Sequence, residues 1–154
     1  MQIALYEPDI PQNAGNIIRT ATCLAVPVHV IEPAGFDSSN RALKRAGLDY
    51  LDRAQITRHE SFDAFDAWRK GEGARLILLS THARQCYTDF AFGLGDVLLL
   101  GRESAGAPER VHAAADVRLL IPLAGGLRSI NVAAAAAMVL GEALRQTNQF
   151  PGRG

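Results

Sequence analysis

The chain has 154 residues, of which 48% are apolar, and this size and composition are typical of a single globular domain with its own core. Sixteen basic and sixteen acidic side chains leave no formal net charge, which argues against a protein that coats polyanions through bulk charge but allows a local basic patch. Widely separated Cys23 and Cys86 indicate no disulfide framework, and the absence of a membrane-length apolar run or a secretory leader predicts a cytoplasmic protein.

The first half of the chain alternates predicted strands with predicted helices. Three β-prone stretches are bounded by proline, glycine or polar residues, as strands commonly are: 2–7, 26–33 and 54–59. Each is followed by a helical pattern, in "NAGNIIRT" (13–20), "SSNRALKRAG" (38–47) and "SFDAFDAWRKG" (61–71). Ser38 or Ser39 is the expected N-cap of the second helix, and Gly47 is its expected C-cap.

The first of these helices carries a candidate functional face. Asn13 and Gly15 have the residue types of a helix turn and cap, while Asn16 and Arg19 are three residues apart and therefore share one helical face. By periodicity alone, a capped helix with a solvent-facing arginine is the simpler interpretation, because helix starts are rich in such residues.

The second helix carries the densest positive cluster of the chain. Arg41, Lys44 and Arg45 stand at positions i, i+3 and i+4 and so form a stripe along one face. A solvated helix face and a contact with phosphates of a nucleic acid are both open interpretations of this stripe.

The second half continues the alternation with strands that are apolar throughout. "RLILLST" (75–81) and "DVLLLG" (96–101) suit strands covered on both faces, as in a parallel sheet flanked by helices. A short helix (107–115), a strand (117–122) and a long final helix (about 130–147) follow. With no linker or repeat to divide the chain, we expect one α/β domain over residues 1–154.

Three glycine-rich and polar loops follow the late strands. They read "STHARQ" (80–85), "GRESAGAP" (101–108) and "PLAGGLRS" (122–129). Because ligands of open α/β sheets collect at the carboxyl ends of the strands, these loops predict one composite pocket.

The last helix is unusual in having almost no polar face. Arg128, Ser129 and Asn131 stand at its start, and residues 132–140 are all apolar. A helix packed on one sheet needs an apolar stripe of only ~100°, so an apolar circumference predicts burial against a second subunit as well. We therefore expect a homodimer formed through the C-terminal helix.

Several other kinds of site lack support in the sequence. There is no phosphate-binding G-x-x-x-x-G-K-[ST] loop, and the four histidines stand singly without metal-ligand spacing, so we expect no metal. Ser104 lies near glycines, but Arg102 stands where a hydrolase elbow needs glycine, which leaves a serine hydrolase as a minor alternative. Glu103 is either a polar anchor or a helix-cap carboxylate.

Three segments together resemble a known family. "NAGNIIRT", "LLLGRESAGAPE" and "IPLAGGLRSINVAAAAAMVLGEALRQ" resemble, in order and spacing, the three motifs of the SPOUT class of RNA methyltransferases that use S-adenosyl-L-methionine. The likeness begins at "ALYEPDIPQNAGNIIRT", includes "HVIEPAGF" and "LKRAGLDY", and covers nearly the whole chain. It is greatest for the small single-domain subgroup that methylates the ribose 2′-oxygen of wobble nucleotide 34, cytidine or 5-carboxymethylaminomethyluridine, in leucine tRNAs.

The resemblance implies more than the sequence patterns do. It implies a C-terminal deep trefoil knot, a homodimer, and a tRNA anticodon stem-loop as partner, with the basic stripe on its phosphates. Mapped onto this chain, the implied cofactor contacts are Leu79, Gly101, Ile121 and Ser129. It also makes Arg19 the residue that acts on the 2′-hydroxyl, with Ser129 and Asn131 ordering the cofactor loop and the substrate.

The chain also departs from the family pattern. Members often carry proline and arginine where Arg102 and Ala105 stand, and an aromatic residue where Gly141 stands. Ala133 and Ala134 likewise replace serine and asparagine. Because an aromatic side chain can stack on a base, these changes bear on which nucleotide is accepted. The alternatives are therefore methylation of another RNA position and a non-catalytic RNA-binding dimer.

Overall fold

A computed structural model describes residues 1–45 and 48–152. Within these residues seven strands form one parallel sheet in the order β3-β2-β1-β6-β4-β7-β5. The strands are β1 (Gln2–Tyr6), β2 (Val28–Ile31), β3 (Ile56–His59), β4 (Leu76–Leu79), β5 (Gln85–Cys86), β6 (Val97–Leu100) and β7 (Val117–Leu120). The helices are α1 (Pro11–Cys23), α2 (Asn40–Arg45), α3 (Phe62–Gly71), α4 (Glu109–Ala114) and α5 (Val132–Thr147), with 3₁₀ turns at Leu51–Arg53 and Tyr87–Asp89.

The predicted α/β architecture is confirmed. Every predicted strand and helix is present with bounds that differ by a few residues. The two-residue strand β5 was not predicted, because so short a segment has no periodicity to detect. The trefoil knot stays a prediction. Among the described residues, no helix combines the length and apolar character needed to cross a membrane.

Helix ends follow ordinary capping chemistry, with one correction. Ser39 caps α2 through its hydroxyl, as expected, and Gly47 lies outside the described residues. The predicted cap role of Asn13 is wrong: α1 begins at Pro11, so Asn13 lies inside the first turn and is buried. Proline at the first helical position is pre-organised for that start and needs no side-chain cap there.

The sheet is covered by apolar layers on both faces, as the continuous apolar strands predicted. One layer packs α1 and α5 on the sheet through residues such as Ile18, Leu140 and Leu144. The opposite layer packs α3 and α4 through Phe62, Phe65 and Val111. This double cover buries the strands and leaves their carboxyl ends as the open edge for a site.

A buried histidine pair lies inside the second layer. His29 on β2 and His59 on β3 face each other with 3.0 Å between Nδ1 of His29 and Nε2 of His59. Nε2 of His29 lies 2.8 Å from the amide oxygen of Gln2, which can only accept, so His29 donates there and accepts from His59 through Nδ1. The sequence analysis treated these histidines as isolated, because their 30-residue separation gives no local signal.

This pair predicts an acid-sensitive stability. Burial, and after it the neighbouring His59, lowers the pKa of His29 from 6.5 to about 4. The neutral pair therefore stabilises the fold fully above pH 6.5, and we expect the free energy of unfolding to fall by about 3 kcal/mol as the pH drops from 6.5 to 4. Urea unfolding at a series of pH values measures this slope.

The same measurement on variants tests its origin. His29→Gln is expected to be less stable at neutral pH and to show a shallower slope across this range. His82→Asn, which changes an exposed histidine, is the matched control and is expected to keep the wild-type slope. Equal slopes in His29→Gln and the wild type would show that the buried pair does not control acid stability.

Candidate active site

A cavity of about 590 Å³ opens at the carboxyl ends of three adjacent strands, β6, β4 and β7. The loops that follow these strands contribute its walls. The first loop supplies Ser80, Thr81 and His82, the second supplies residues 101–103 and 105–107, and the third supplies Leu123, Arg128 and Ser129. Parallel strands end at the same edge of a sheet, which is why segments far apart in sequence meet here. The structure thus assembles the composite pocket expected from the three loops.

All four residues predicted to contact a cofactor lie on the wall of this cavity. Leu79 is the last residue of β4, Gly101 and Ile121 directly follow β6 and β7, and Ser129 lies in the loop before α5. Their roles stay predictions. Their apolar side chains and backbone groups face one space, which suits a ligand with both an aromatic and a polar part.

Gly101 is required by close backbone packing. A Cβ atom at this position would lie 2.9 Å from the backbone nitrogen of Ala107 and 2.9 Å from the carbonyl carbon of Gly106. The loop folds back here because Arg102 and Gly106 exchange two backbone hydrogen bonds of 3.2 and 2.7 Å. Gly106 has a φ of +67°, which favours glycine.

Asn131 joins the cavity to the helices beneath it. Its amide oxygen accepts hydrogen bonds from the backbone nitrogens of Ala133 at 2.8 Å and Ala134 at 3.3 Å, so it caps α5. Its amide nitrogen donates to the side-chain oxygen of Asn13 at 2.9 Å, which ties α5 to α1. Both ends of the amide are therefore engaged within the protein, an arrangement that suits a positioning role for this predicted catalytic residue.

A network of acidic residues lies at one side of the cavity. The backbone nitrogen of Asp9 donates to Oε2 of Glu103 at 3.0 Å, and Nε of Arg102 donates to Oδ2 of Asp9 at 3.3 Å. Hydrogen bonds from Glu103 and then Ser104 lower the pKa of Asp9 to about 2, whereas burial, followed by the interaction with Asp9, raises the pKa of Glu103. A raised pKa keeps Glu103 closer to neutrality than an exposed carboxylate.

This network removes the basis for a serine hydrolase. The hydroxyl of Ser104 donates to Oδ2 of Asp9, not to a histidine base. Asp9 was not predicted as a site residue, because it lies 94 residues from Glu103 and nothing in the connection between β1 and α1 indicates this contact.

Arg19 lies outside the set of residues that line the cavity. It is exposed on α1 on the same face as Asn16, as their spacing predicted. Its guanidinium carbon lies 5.1 Å from the centre of the Tyr50 ring, in a cation–π contact. The structure of one chain therefore brings Asn131 to the cavity but does not bring Arg19 there.

The predicted basic stripe is exposed on α2. Arg41, Lys44 and Arg45 all have exposed side chains. Lys44 pairs with Asp52 at 3.0 Å, but exposed ion pairs of this kind are weak and can be exchanged for a ligand phosphate. The stripe is therefore available to a polyanion.

Two histidines on the cavity wall were missed as site residues. His82 follows β4 and His112 lies on α4.

Among residues 1–45 and 48–152, no three histidine, cysteine, aspartate or glutamate side chains are grouped so that they could hold a metal ion.

Comparison with known proteins gives matches over nearly the whole chain. The family described as "SpoU rRNA Methylase family" matches residues 1–141. A relative from Ancylobacter novellus, named tRNA (cytidine(34)-2′-O)-methyltransferase, is 57% identical over 150 residues, which cover 97% of this chain and 95% of the relative.

Solved structures give the same result. One described as "Structural insights into the 2-OH methylation of C/U34 on tRNA" has a TM-score of 0.87 at 44% identity and covers 94% of both chains. The SpoU methyltransferase AviRb from Streptomyces viridochromogenes, solved in complex with the cofactor AdoMet, has a TM-score of 0.83 at 26% identity and covers 95% of this chain and 60% of that one.

Proposed function

Because the chain belongs to the SpoU methylase family, we propose that it transfers a methyl group from S-adenosyl-L-methionine to the ribose 2′-oxygen of nucleotide 34 in tRNA. The observation that carries this proposal is the single cavity that gathers Leu79, Gly101, Ile121 and Ser129 at the ends of adjacent strands. The named relative matches the chain from end to end, so its activity supports the proposal at the level of substrate and reaction.

The proposed substrate can be stated more finely. The resemblance of the three motifs supports cytidine or 5-carboxymethylaminomethyluridine at position 34 of leucine tRNAs, bound through the anticodon stem-loop. Such a substrate supports a cytoplasmic location. Methylation of another RNA position and a non-catalytic RNA-binding dimer are the competing functions, and the preserved cavity favours an enzyme over the second of these.

The residues of the cavity fit S-adenosyl-L-methionine. A volume of about 590 Å³ lies within the range of ~300–1,000 Å³ that is usual for small-molecule sites. Leu79, Leu100, Ile121 and Val132 offer apolar walls for an adenine ring, and Ser129 offers a hydroxyl. The small size of Gly101 lets a ligand approach the backbone closely.

The chemistry needs alignment more than acid assistance. The sulfonium of the bound cofactor supplies a methyl group that is already activated. The protein must place the 2′-oxygen in line with that methyl group and stabilise the negative charge that develops on the oxygen. Arg19 is proposed for this role, because its guanidinium is planar, always protonated and able to hold a phosphate at the same time.

The proton of the 2′-hydroxyl needs a different acceptor. Arginine is a poor base, since its guanidinium stays protonated in proteins. Glu103 is the carboxylate among the described residues that line the cavity, and its burial raises its pKa. We propose that Glu103 takes the proton directly or through a water molecule.

A homodimer is part of this proposal. Beside the buried face of α5, Met138 is 43% exposed, and Leu127 in the preceding loop is 67% exposed. Exposed large apolar side chains on α5 and in the loop before it suit burial against a second protein. Since α1 packs against α5, a dimer built on α5 places α1 near the subunit boundary and offers Arg19 a route to the cavity of the partner.

The basic stripe is expected to bind tRNA phosphates. Replacing Arg41, Lys44 and Arg45 with alanine is expected to weaken tRNA binding at least tenfold near 0.1 M salt, because each lost phosphate contact forfeits counterion release. The slope of log K against log salt is expected to become shallower by about 2 to 3. Filter binding over a series of salt concentrations measures both quantities.

The matched control carries alanine at Arg84 and Arg118, two exposed arginines at the opposite edge of the sheet. This control is expected to keep the wild-type slope. An unchanged slope in the triple variant would show that the stripe is a solvated helix face that does not contact tRNA phosphates.

The proposed function is tested with the purified chain, labelled S-adenosyl-L-methionine and two synthetic anticodon stem-loops. One stem-loop carries cytidine at position 34 and the other carries 2′-deoxycytidine there. We expect methyl transfer only to the first, with 2′-O-methylcytidine found by mass spectrometry after nuclease digestion. Equal transfer to both stem-loops would place the methyl group elsewhere.

A further inference from the structure

Tyr50 is an aromatic residue that contributes little to the core. It lies at the start of the 3₁₀ turn Leu51–Arg53 and is 42% exposed, whereas the adjacent Leu51 is buried. Its ring makes a cation–π contact with Arg19, whose guanidinium carbon lies 5.1 Å from the ring centre. Packing of the core therefore does not account for a large aromatic side chain at this position.

The surface around Tyr50 carries more cations than carboxylates, although Asp49 and Asp52 are exposed there too. Both α1, which carries Arg19, and α2, which carries the stripe Arg41, Lys44 and Arg45, contact the 3₁₀ turn. Arg53 adds an exposed cation in the turn itself. An exposed aromatic ring between cations is the combination that nucleic-acid surfaces use, with cations on phosphates and the ring on a base.

The position of Tyr50 relative to Arg19 specifies which base it meets. The proposed role of Arg19 puts its guanidinium at the ribose 2′-oxygen. The base of that nucleotide is attached to C1′, the carbon next to C2′, which carries this oxygen. A ring centre 5.1 Å from the guanidinium carbon is therefore within stacking reach of that base.

We propose that Tyr50 stacks on the base of the nucleotide that is methylated and thereby holds its ribose against Arg19. This inference rests on the proposed function. It makes Tyr50 a substrate-binding residue of the site, and it assigns base recognition to a position outside the cofactor cavity. Since every base has a flat face, the stack anchors the nucleotide without selecting among bases by hydrogen bonds.

A double-mutant cycle tests the stack. Binding of a fluorescent anticodon stem-loop is measured by anisotropy for the wild type and for Tyr50→Leu, each with a normal nucleotide 34 and with an abasic ribose at that position. We expect Tyr50→Leu to weaken binding of the normal stem-loop at least fivefold, and the abasic substitution to weaken wild-type binding by a similar factor. Combined, the two changes are expected to cost little more than either alone.

Conservative and positional controls sharpen the result. Tyr50→Phe is expected to recover most of the affinity lost in Tyr50→Leu, because phenylalanine keeps the ring. Leu94→Ala removes another exposed apolar side chain, in the turn before β6, and is expected to bind the normal stem-loop like the wild type. An abasic ribose at position 33 or 35 is expected to show no coupling to Tyr50.

Three results would overturn the inference. Additive losses in the cycle would show that Tyr50 does not touch base 34. Coupling at position 33 or 35 alone would assign Tyr50 to a neighbouring base. A fall in kcat of Tyr50→Leu with unchanged binding of both stem-loops would reduce Tyr50 to a support for Arg19. Failure of the proposed function is distinct, because it would appear as absence of methyl transfer to nucleotide 34 by the wild type.

Discussion

Replacing Arg19 with lysine is expected to lower kcat for tRNA methylation by about 100-fold or more. The lysine keeps the positive charge but loses the planar fork of donors, which can hold a phosphate and the developing oxyanion together. It also lacks the guanidinium that makes the cation–π contact with the Tyr50 ring. Single-turnover methyl transfer with saturating tRNA measures this change directly, because chemistry is then separated from product release.

Cofactor binding is the internal control for this variant. Because Arg19 is proposed to act on the substrate ribose, the affinity of the variant for S-adenosylhomocysteine, measured by calorimetry, is expected to stay close to that of the wild type. Arg84→Lys serves as a matched exposed substitution at the far edge of the sheet. Near-normal turnover of Arg19→Lys would contradict a role that needs the guanidinium.

Replacing Gly101 with alanine is expected to abolish measurable cofactor binding or to lower the free energy of unfolding by roughly 1–3 kcal/mol. The added methyl group would lie 2.9 Å from backbone atoms of both Gly106 and Ala107. Backbone cannot move aside as a flexible side chain can, so the loop 101–107 must shift. Calorimetry with S-adenosylhomocysteine measures the loss of cofactor affinity, and urea unfolding measures the loss of stability.

Gly95→Ala is the matched control for this substitution. A Cβ atom at Gly95 would meet no other atom within 4 Å. The control is expected to bind the cofactor and to unfold like the wild type. Wild-type stability and wild-type affinity in Gly101→Ala would contradict the idea that close packing of Gly106 and Ala107 against Gly101 shapes the cavity.

The fold and the outline of the site follow from local patterns. Apolar runs such as 75–81 and 96–101 predicted strands covered on both faces, and the structure buries them between two helical layers. The loops after these strands predicted a pocket, because parallel strands end at one edge. The alternation of strands and helices thus predicts parallel strands. Parallel strands place the loops that follow them at the same edge of the sheet.

The contacts that complete the site have no local signal. Asn13 and Asn131 meet across 118 residues, and Asp9 and Glu103 meet across 94. The sequence around Asn13 therefore predicted a helix cap, although its side-chain oxygen accepts a hydrogen bond from the amide nitrogen of Asn131. Such hydrogen bonds depend on how helices, strands and loops pack against one another, so the residue pattern of one segment cannot predict them.

The departures from the family pattern have different structural surroundings. Arg102 forms an ion pair with Asp9 at 3.3 Å, so it fixes the acidic network beside the cavity. At Gly141, where family members often carry an aromatic residue, a Cβ atom would meet nothing within 4 Å. Tyr50 supplies an exposed aromatic ring elsewhere on the surface, which is the role that we propose for it.

The most direct test of the account is transfer of radiolabelled methyl from S-adenosyl-L-methionine to total tRNA from a strain that lacks this gene, followed by nuclease mapping of the label. The account predicts label on the ribose of nucleotide 34 and in leucine tRNAs. Label on a different nucleotide would contradict the assigned substrate. The absence of transfer by a protein that still binds the cofactor and this tRNA would contradict its assignment as an enzyme.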